Sequence, residues 1–87
     1  MFAARDWMGA MKRLQILGAG CAKCHELAER AAAAATAAGL EFQIEKVSDL
    51  TVIMGFGVLR TPALVVDGTV KVAGRVPPVE EIKRMLA

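Results

Sequence analysis

The chain has no block of like charge, no long apolar run and only two cysteines among its 87 residues, and each shortage excludes a class of protein. Eleven Lys and Arg against nine Asp and Glu leave a formal net charge of +2, with the cations scattered from Arg5 to Arg84. Nucleic-acid binding needs a basic patch or stripe to neutralise phosphates, and none is written here. Charges interrupt every window of about 20 residues, and the alanine-rich stretch 31–40 is too short to cross a bilayer. No membrane partner is expected. The first residues, Met1 to Met11, hold Arg5 and Asp6 but no continuous apolar stretch and no cleavage signal, so a cytoplasmic protein is expected. In a reducing compartment two cysteines seldom form a structural staple. They are expected to be redox-active or metal-binding.

Eighty-seven residues make one domain, near the lower limit for a self-sufficient core. Residues 1–11 show no period and read as an unstructured N-terminal extension, with residues 12–87 as the domain. The alternative is that Phe2, Trp7 and Met8 pack on the domain or on a second subunit, which leaves a monomer or a weak dimer.

Arg13 to Leu17 reads as a strand ended by Gly18-Ala19-Gly20. A helix follows from Cys21 to Ala38, with Cys24, Leu27, Ala28, Ala31, Ala35 and Ala38 on one face and Gly39 as its stop. Glu41 to Val47 alternates as a second strand. Ser48 is the expected cap of a short helix over Asp49 to Met54, which Gly55 and Gly57 break. Thr61-Pro62 introduces the apolar strand Ala63 to Val66, Asp67-Gly68 marks a two-residue hairpin, and Thr69 to Val72 returns. Pro78 opens a last helix with Val79, Ile82 and Leu86 as its stripe. The order β-α-β-α-β-β-α gives a parallel crossover followed by a hairpin, hence an α/β fold with a four-stranded mixed sheet flanked by helices.

Cys21-Ala22-Lys23-Cys24 stands where the first strand hands over to a helix. Spacing by three puts both sulfurs on one side of that helix. Cys21 falls at the helix N-terminus, where unpaired N–H groups and the helix dipole favour a thiolate, so its pKa should drop below the free value of about 8.5. Thiolate is the species that attacks disulfides. Cys24 lies one turn deeper, and the division of labour that follows is Cys21 as nucleophile and Cys24 as resolving thiol.

Two other readings use the same residues. With His25 the segment spells the Cys-x-x-Cys-His of haem attachment, a reaction that follows export, for which no signal is seen. A pair of thiolates also suits Cu(I) or zinc, as in soft-metal delivery domains. Those domains carry Met two residues before the first Cys, where this chain has Ala19, and their βαββαβ order differs.

Gly20-Cys21-Ala22-Lys23-Cys24, Thr61-Pro62 with Ala63 to Gly68, and Gly74-Arg75-Val76-Pro77 together resemble the thioredoxin superfamily. Within it they resemble the small thioredoxin- or glutaredoxin-like redox-active disulfide proteins of archaea and bacteria, over residues 12–87. The resemblance implies a thioredoxin-like fold with no cofactor. It implies a cis Thr61–Pro62 bond facing the dithiol, and a groove in which Thr61, Pro62, Ala22, Lys23 and Gly74 meet protein disulfide substrates. A separate dithiol reductase would recharge the pair. The chain departs from the family in three places. Ala22-Lys23 replaces the Gly-Pro of thioredoxins, no acidic residue stands in the first strand, and Ala73-Gly74-Arg75 is a poor match to the glutathione-holding motif of glutaredoxins. Arg60 and Arg75 flank the expected groove, as solvated loop residues.

Overall fold

The computed structural model describes residues 11–18, 20 and 22–86. The expectations that fell on residues 1–10, on Ala19 and on Cys21 lie outside the described residues. The elements run β1 (Lys12–Leu17), α1 (Ala22–Ala37), β2 (Phe42–Val47), α2 (Leu50–Gly55), β3 (Ala63–Val66), β4 (Thr69–Ala73) and α3 (Val79–Leu86). This is the element order expected from the sequence.

The sheet order is β2-β1-β3-β4. β1 runs parallel to β2, pairing Lys12 with Phe42 through Leu17 with Val47. It runs antiparallel to β3, pairing Leu14 with Val66 and Leu17 with Ala63. β3 and β4 form the hairpin, with a register shift between Leu64 and Val65. Asp67 and Gly68 turn it at φ 49° and 86°, the pair of positive values that a two-residue primed turn demands. Asp67 also binds back to β1: its carboxylate accepts from the Arg13 N–H at 2.9 Å, and its own N–H donates to the Arg13 carbonyl at 2.9 Å.

Alternation along β1 divides the core in two. Leu14 and Ile16 join Leu64, Val66 and Val72 under α1 and α3, which contribute Leu27, Ala28, Ala31, Ile82 and Leu86. Leu17 turns the other way and packs with Ala63, Val65, Val58 and Ile53 of α2. Burying each such Leu or Ile contributes about 1.5–3 kcal/mol relative to leaving it in water. Small alanines let α1 approach the sheet and α3 closely.

The structure departs locally from expectation at the end of α1 and at the start of α2. Ala34, not Ala38, is buried on α1, because the helix ends at Ala37 and Ala38 is exposed beyond it. The helix closes with Gly39 N–H on the Thr36 carbonyl and Leu40 N–H on the Ala35 carbonyl, at 3.1 and 3.0 Å, the paired bonds of a Schellman stop. The cap of α2 is Asp49 rather than Ser48: its side chain accepts from the Thr51 N–H at 2.9 Å, and the helix begins one residue later than expected.

Candidate functional site

The topology gathers four chain segments at one end of the sheet. β1 and β2 end there, β3 begins there opposite Leu17, and Ala73 at the end of β4 pairs with Ala63. Just beyond β1, Gly18 donates its N–H to the Val47 carbonyl at 2.9 Å, extending the parallel pairing by one bond. The chain then enters α1. In open α/β sheets, the carboxyl ends of the strands are where ligands bind.

Cys24 is the third residue of α1 and only 4% exposed, set into the larger core cluster beside Leu27 and Ala28. It lies in the turn whose backbone N–H groups lack helical acceptors, and no acidic residue stands in that turn to oppose a thiolate. Ala22 and Lys23 are exposed on the same turn. His25 is exposed as well and faces Glu29 one turn on, with its Nε2 3.4 Å from the carboxylate.

Gly18 is the residue that sequence reasoning missed. It served there only to end a strand, yet it is buried against Cys24. A Cβ at this position would overlap the Cys24 Sγ, and would lie 3.5 Å from Cys24 Cβ and 3.7 Å from Thr61 Cβ. Gly18, Cys24 and Thr61 therefore meet. The signal in the sequence was a glycine three residues before the first cysteine, at a strand end where glycine is too common to be diagnostic.

Thr61 is exposed, Pro62 is fully buried, and the peptide bond between them is cis. The Pro62 carbonyl accepts from the Gly74 N–H at 2.8 Å, so the loop after β4 is tied to the segment before β3. Gly74 sits at φ 84°, a region L side chains avoid. A Cβ there would also lie 3.1 Å from both Cβ and Cδ of Arg60. Arg60 is exposed, as expected of a solvated loop arginine, and its side chain passes beside Gly74. Arg75 is engaged too: its guanidinium binds the Glu81 carboxylate of α3. That bond holds the Glu81 carboxyl below its ordinary value and raises Arg75 above its own.

Beside Thr61, Phe56, Val58, Leu59, Arg60, Val70 and Ala73 line an open cavity of about 350 Å³. Leu59 on its rim is 95% exposed. In β1 the buried polar residue is Gln15, whose amide donates to the Glu45 Oε1 of β2 at 2.9 Å. That bond, with help from Arg13, keeps Glu45 below its ordinary value. By strand alternation Gln15 is on the sheet face opposite Cys24. Among the described residues no group of three or more His, Cys, Asp or Glu is placed to hold a metal ion. No helix among them is long and apolar enough to cross a membrane.

The thioredoxin domain family matches residues 12–87. A thioredoxin of Methanothermobacter thermautotrophicus is 39% identical over 77 residues, covering 88% of this chain and all of that protein. A thioredoxin of Methanocaldococcus jannaschii is 36% identical over 73 residues, covering 84% of each. These relatives lend no support to a metal-delivery role. A mixed four-stranded sheet with helices on both faces, matched along nearly its whole length by thioredoxins, makes this chain a redox protein of the thioredoxin superfamily.

Proposed function

We propose that the chain is a thiol–disulfide oxidoreductase that reduces disulfides of partner proteins through Cys21 and Cys24. The observation that carries the reading is the burial of Cys24 in the first turn of α1, beside Thr61, at the strand ends. A buried second thiol is shielded from outside disulfides and suited to attack only a sulfur brought to it.

The Cys21 thiolate attacks one sulfur of the substrate disulfide. A Cys21–substrate bond forms, the substrate S–S bond breaks, and the first substrate thiolate leaves to take a proton from water. The Cys24 thiolate then attacks the Cys21 sulfur. The Cys21–Cys24 bond forms as the second substrate thiolate departs. The substrate gains two electrons and the protein loses two, which an external dithiol reductase restores. Thr61 and Gly74 border the groove for an extended substrate segment, with Ala22 and Lys23 on its near rim. Backbone pairing along Thr61 would be a local form of strand addition. The proposed setting is the cytoplasm, where the reductive direction is favoured.

The test is a redox titration of metal-free protein against defined dithiol buffers, read by mass after alkylation, with Cys21→Ser and Cys24→Ser alongside. One two-electron transition is expected, with Cys21 alkylated faster and Cys24→Ser trapping mixed disulfides. A wild type that forms no intramolecular disulfide overturns the reading.

A further inference from the structure

We propose that Gly18 is a positioning residue for the resolving thiol, its missing side chain being the space in which the Cys24 sulfur sits. The inference rests on the disulfide-exchange reading and concerns its second step. Glycine is not needed here for backbone reasons, because Gly18 is absent from the residues with φ in the left-handed region. Its backbone is anchored by the bond to the Val47 carbonyl and cannot easily retreat. Of the three nearest atoms a Cβ would meet, Cys24 Cβ and Thr61 Cβ lie at ordinary contact distance, and only Sγ is incompatible. The constraint is therefore specific to one atom.

A sulfur displaced by a methyl group has few alternatives. Cys24 is 4% exposed and its surroundings are packed core, which leaves little room for another rotamer. A new rotamer, or a shift of the turn away from β1, would change the line along which Sγ meets the Cys21 sulfur. Disulfide formation tolerates little of that, since the bond requires a narrow range of Cβ separation and torsion. In the resolving step Cys24 is oxidised as its thiolate bonds to Cys21, and the departing substrate sulfur is reduced and protonated by water. No bond to Cys24 forms or breaks when Cys21 attacks the substrate. The geometry therefore separates the two steps.

The experiment is stopped-flow reaction of reduced protein with 5,5′-dithiobis(2-nitrobenzoic acid), which releases one chromophoric thiolate on attack and a second on resolution. For Gly18→Ala the first phase is expected to stay within about threefold of wild type, and the second to slow by about tenfold or more. Equal slowing of both phases, or no change in either, overturns the proposal. Because Gly18→Ala also strains the fold, its thermal midpoint is compared in two backgrounds. In wild type it is expected to drop by about 5 °C or more. With Cys24→Ala, where the sulfur is gone, the drop should be less than half of that. An equal drop in both backgrounds overturns the steric basis. A wild type that releases only one thiolate overturns the exchange reading, and with it the role of Gly18 in resolution. The stability comparison would then still decide whether the sulfur occupies the space that Gly18 leaves.

Discussion

The Gly74 N–H donates to the Pro62 carbonyl at 2.8 Å, joining the exit of β4 to the entry of β3 at the end of the sheet that holds Cys24. Two chain segments that would otherwise be separate loops become one wall of the candidate groove. The bond depends on Gly74 holding φ 84° beneath the Arg60 side chain.

Replacing Gly74 by Ala should cost about 1–2 kcal/mol from the left-handed backbone alone, with further loss from crowding Arg60. Arg60→Ala in the same chain should recover the part due to Cγ and Cδ and leave the Arg60 Cβ contact and the backbone part. Urea denaturation of the two single variants and the double variant measures both. Additive losses would show that Arg60 does not feel the new methyl group.

Asp67 at φ 49° combines a turn conformation unusual for a side-chain-bearing residue with a bond to the Arg13 N–H and an ion pair to Lys12 at 3.6 Å. Asp67→Ala should lower stability by about 1–2 kcal/mol. Asp67→Asn keeps an acceptor and tolerates this conformation, so its loss should be less than half as large. Chemical denaturation of both variants makes the comparison. Equal losses would assign the effect to charge.

The cap of α2 gives a prediction that separates neighbours. Asp49→Ala should destabilise by about 1 kcal/mol, and Ser48→Ala by less than about 0.5 kcal/mol. Thermal melts of the two variants decide it. The reverse order would return the cap to Ser48.

Glu81 and Glu45 both hold their protons less tightly in the folded protein than the ordinary 4.5, Glu81 through Arg75 and Glu45 through Gln15 and then Arg13. A carboxyl depressed by folding adds stability above its unfolded value and loses it as pH falls through its folded value. The share of stability that these two carboxyls carry should therefore be present above about pH 4.5 and be lost progressively below it. Glu81→Gln and Glu45→Gln should each shallow that acid decline. Denaturant midpoints measured from pH 3 to pH 7 test the slope, and an unchanged slope in both variants would assign the decline to other carboxyls.

The sequence by itself determined the elements and their order, since these depend on local spacing. Period-two alternation marked β2, the 3.6-residue stripe of Cys24, Leu27, Ala28 and Ala31 marked α1, and Asp67-Gly68 marked the hairpin. It also placed Cys24 on the buried face of the helix that follows the first strand. Local choices between adjacent candidates were less legible. Ser48 and Asp49 are both good caps, and the one that serves is Asp49, whose side chain reaches the Thr51 N–H. Ala34 and Ala38 look alike in a run of alanines, and only the position of α3 and of the helix end decides which is covered.

The meeting of Gly18 with Cys24 and Thr61, the bond from Gly74 to Pro62, and the turning of Arg75 to Glu81 were decided by the tertiary structure. The approach of Thr61 to Gly18 and the bond from Gly74 to Pro62 join segments farther apart in the chain, brought together by the antiparallel register of β1 with β3 and of β3 with β4, whereas Gly18 and Cys24 are only six residues apart. Arg75 and Glu81 are near in sequence, yet their contact needs α3 to fold back beside its own leading loop. Residue type and local spacing carry no record of such encounters. They follow from strand pairing and packing, which put a missing side chain at position 18 directly against the sulfur of residue 24.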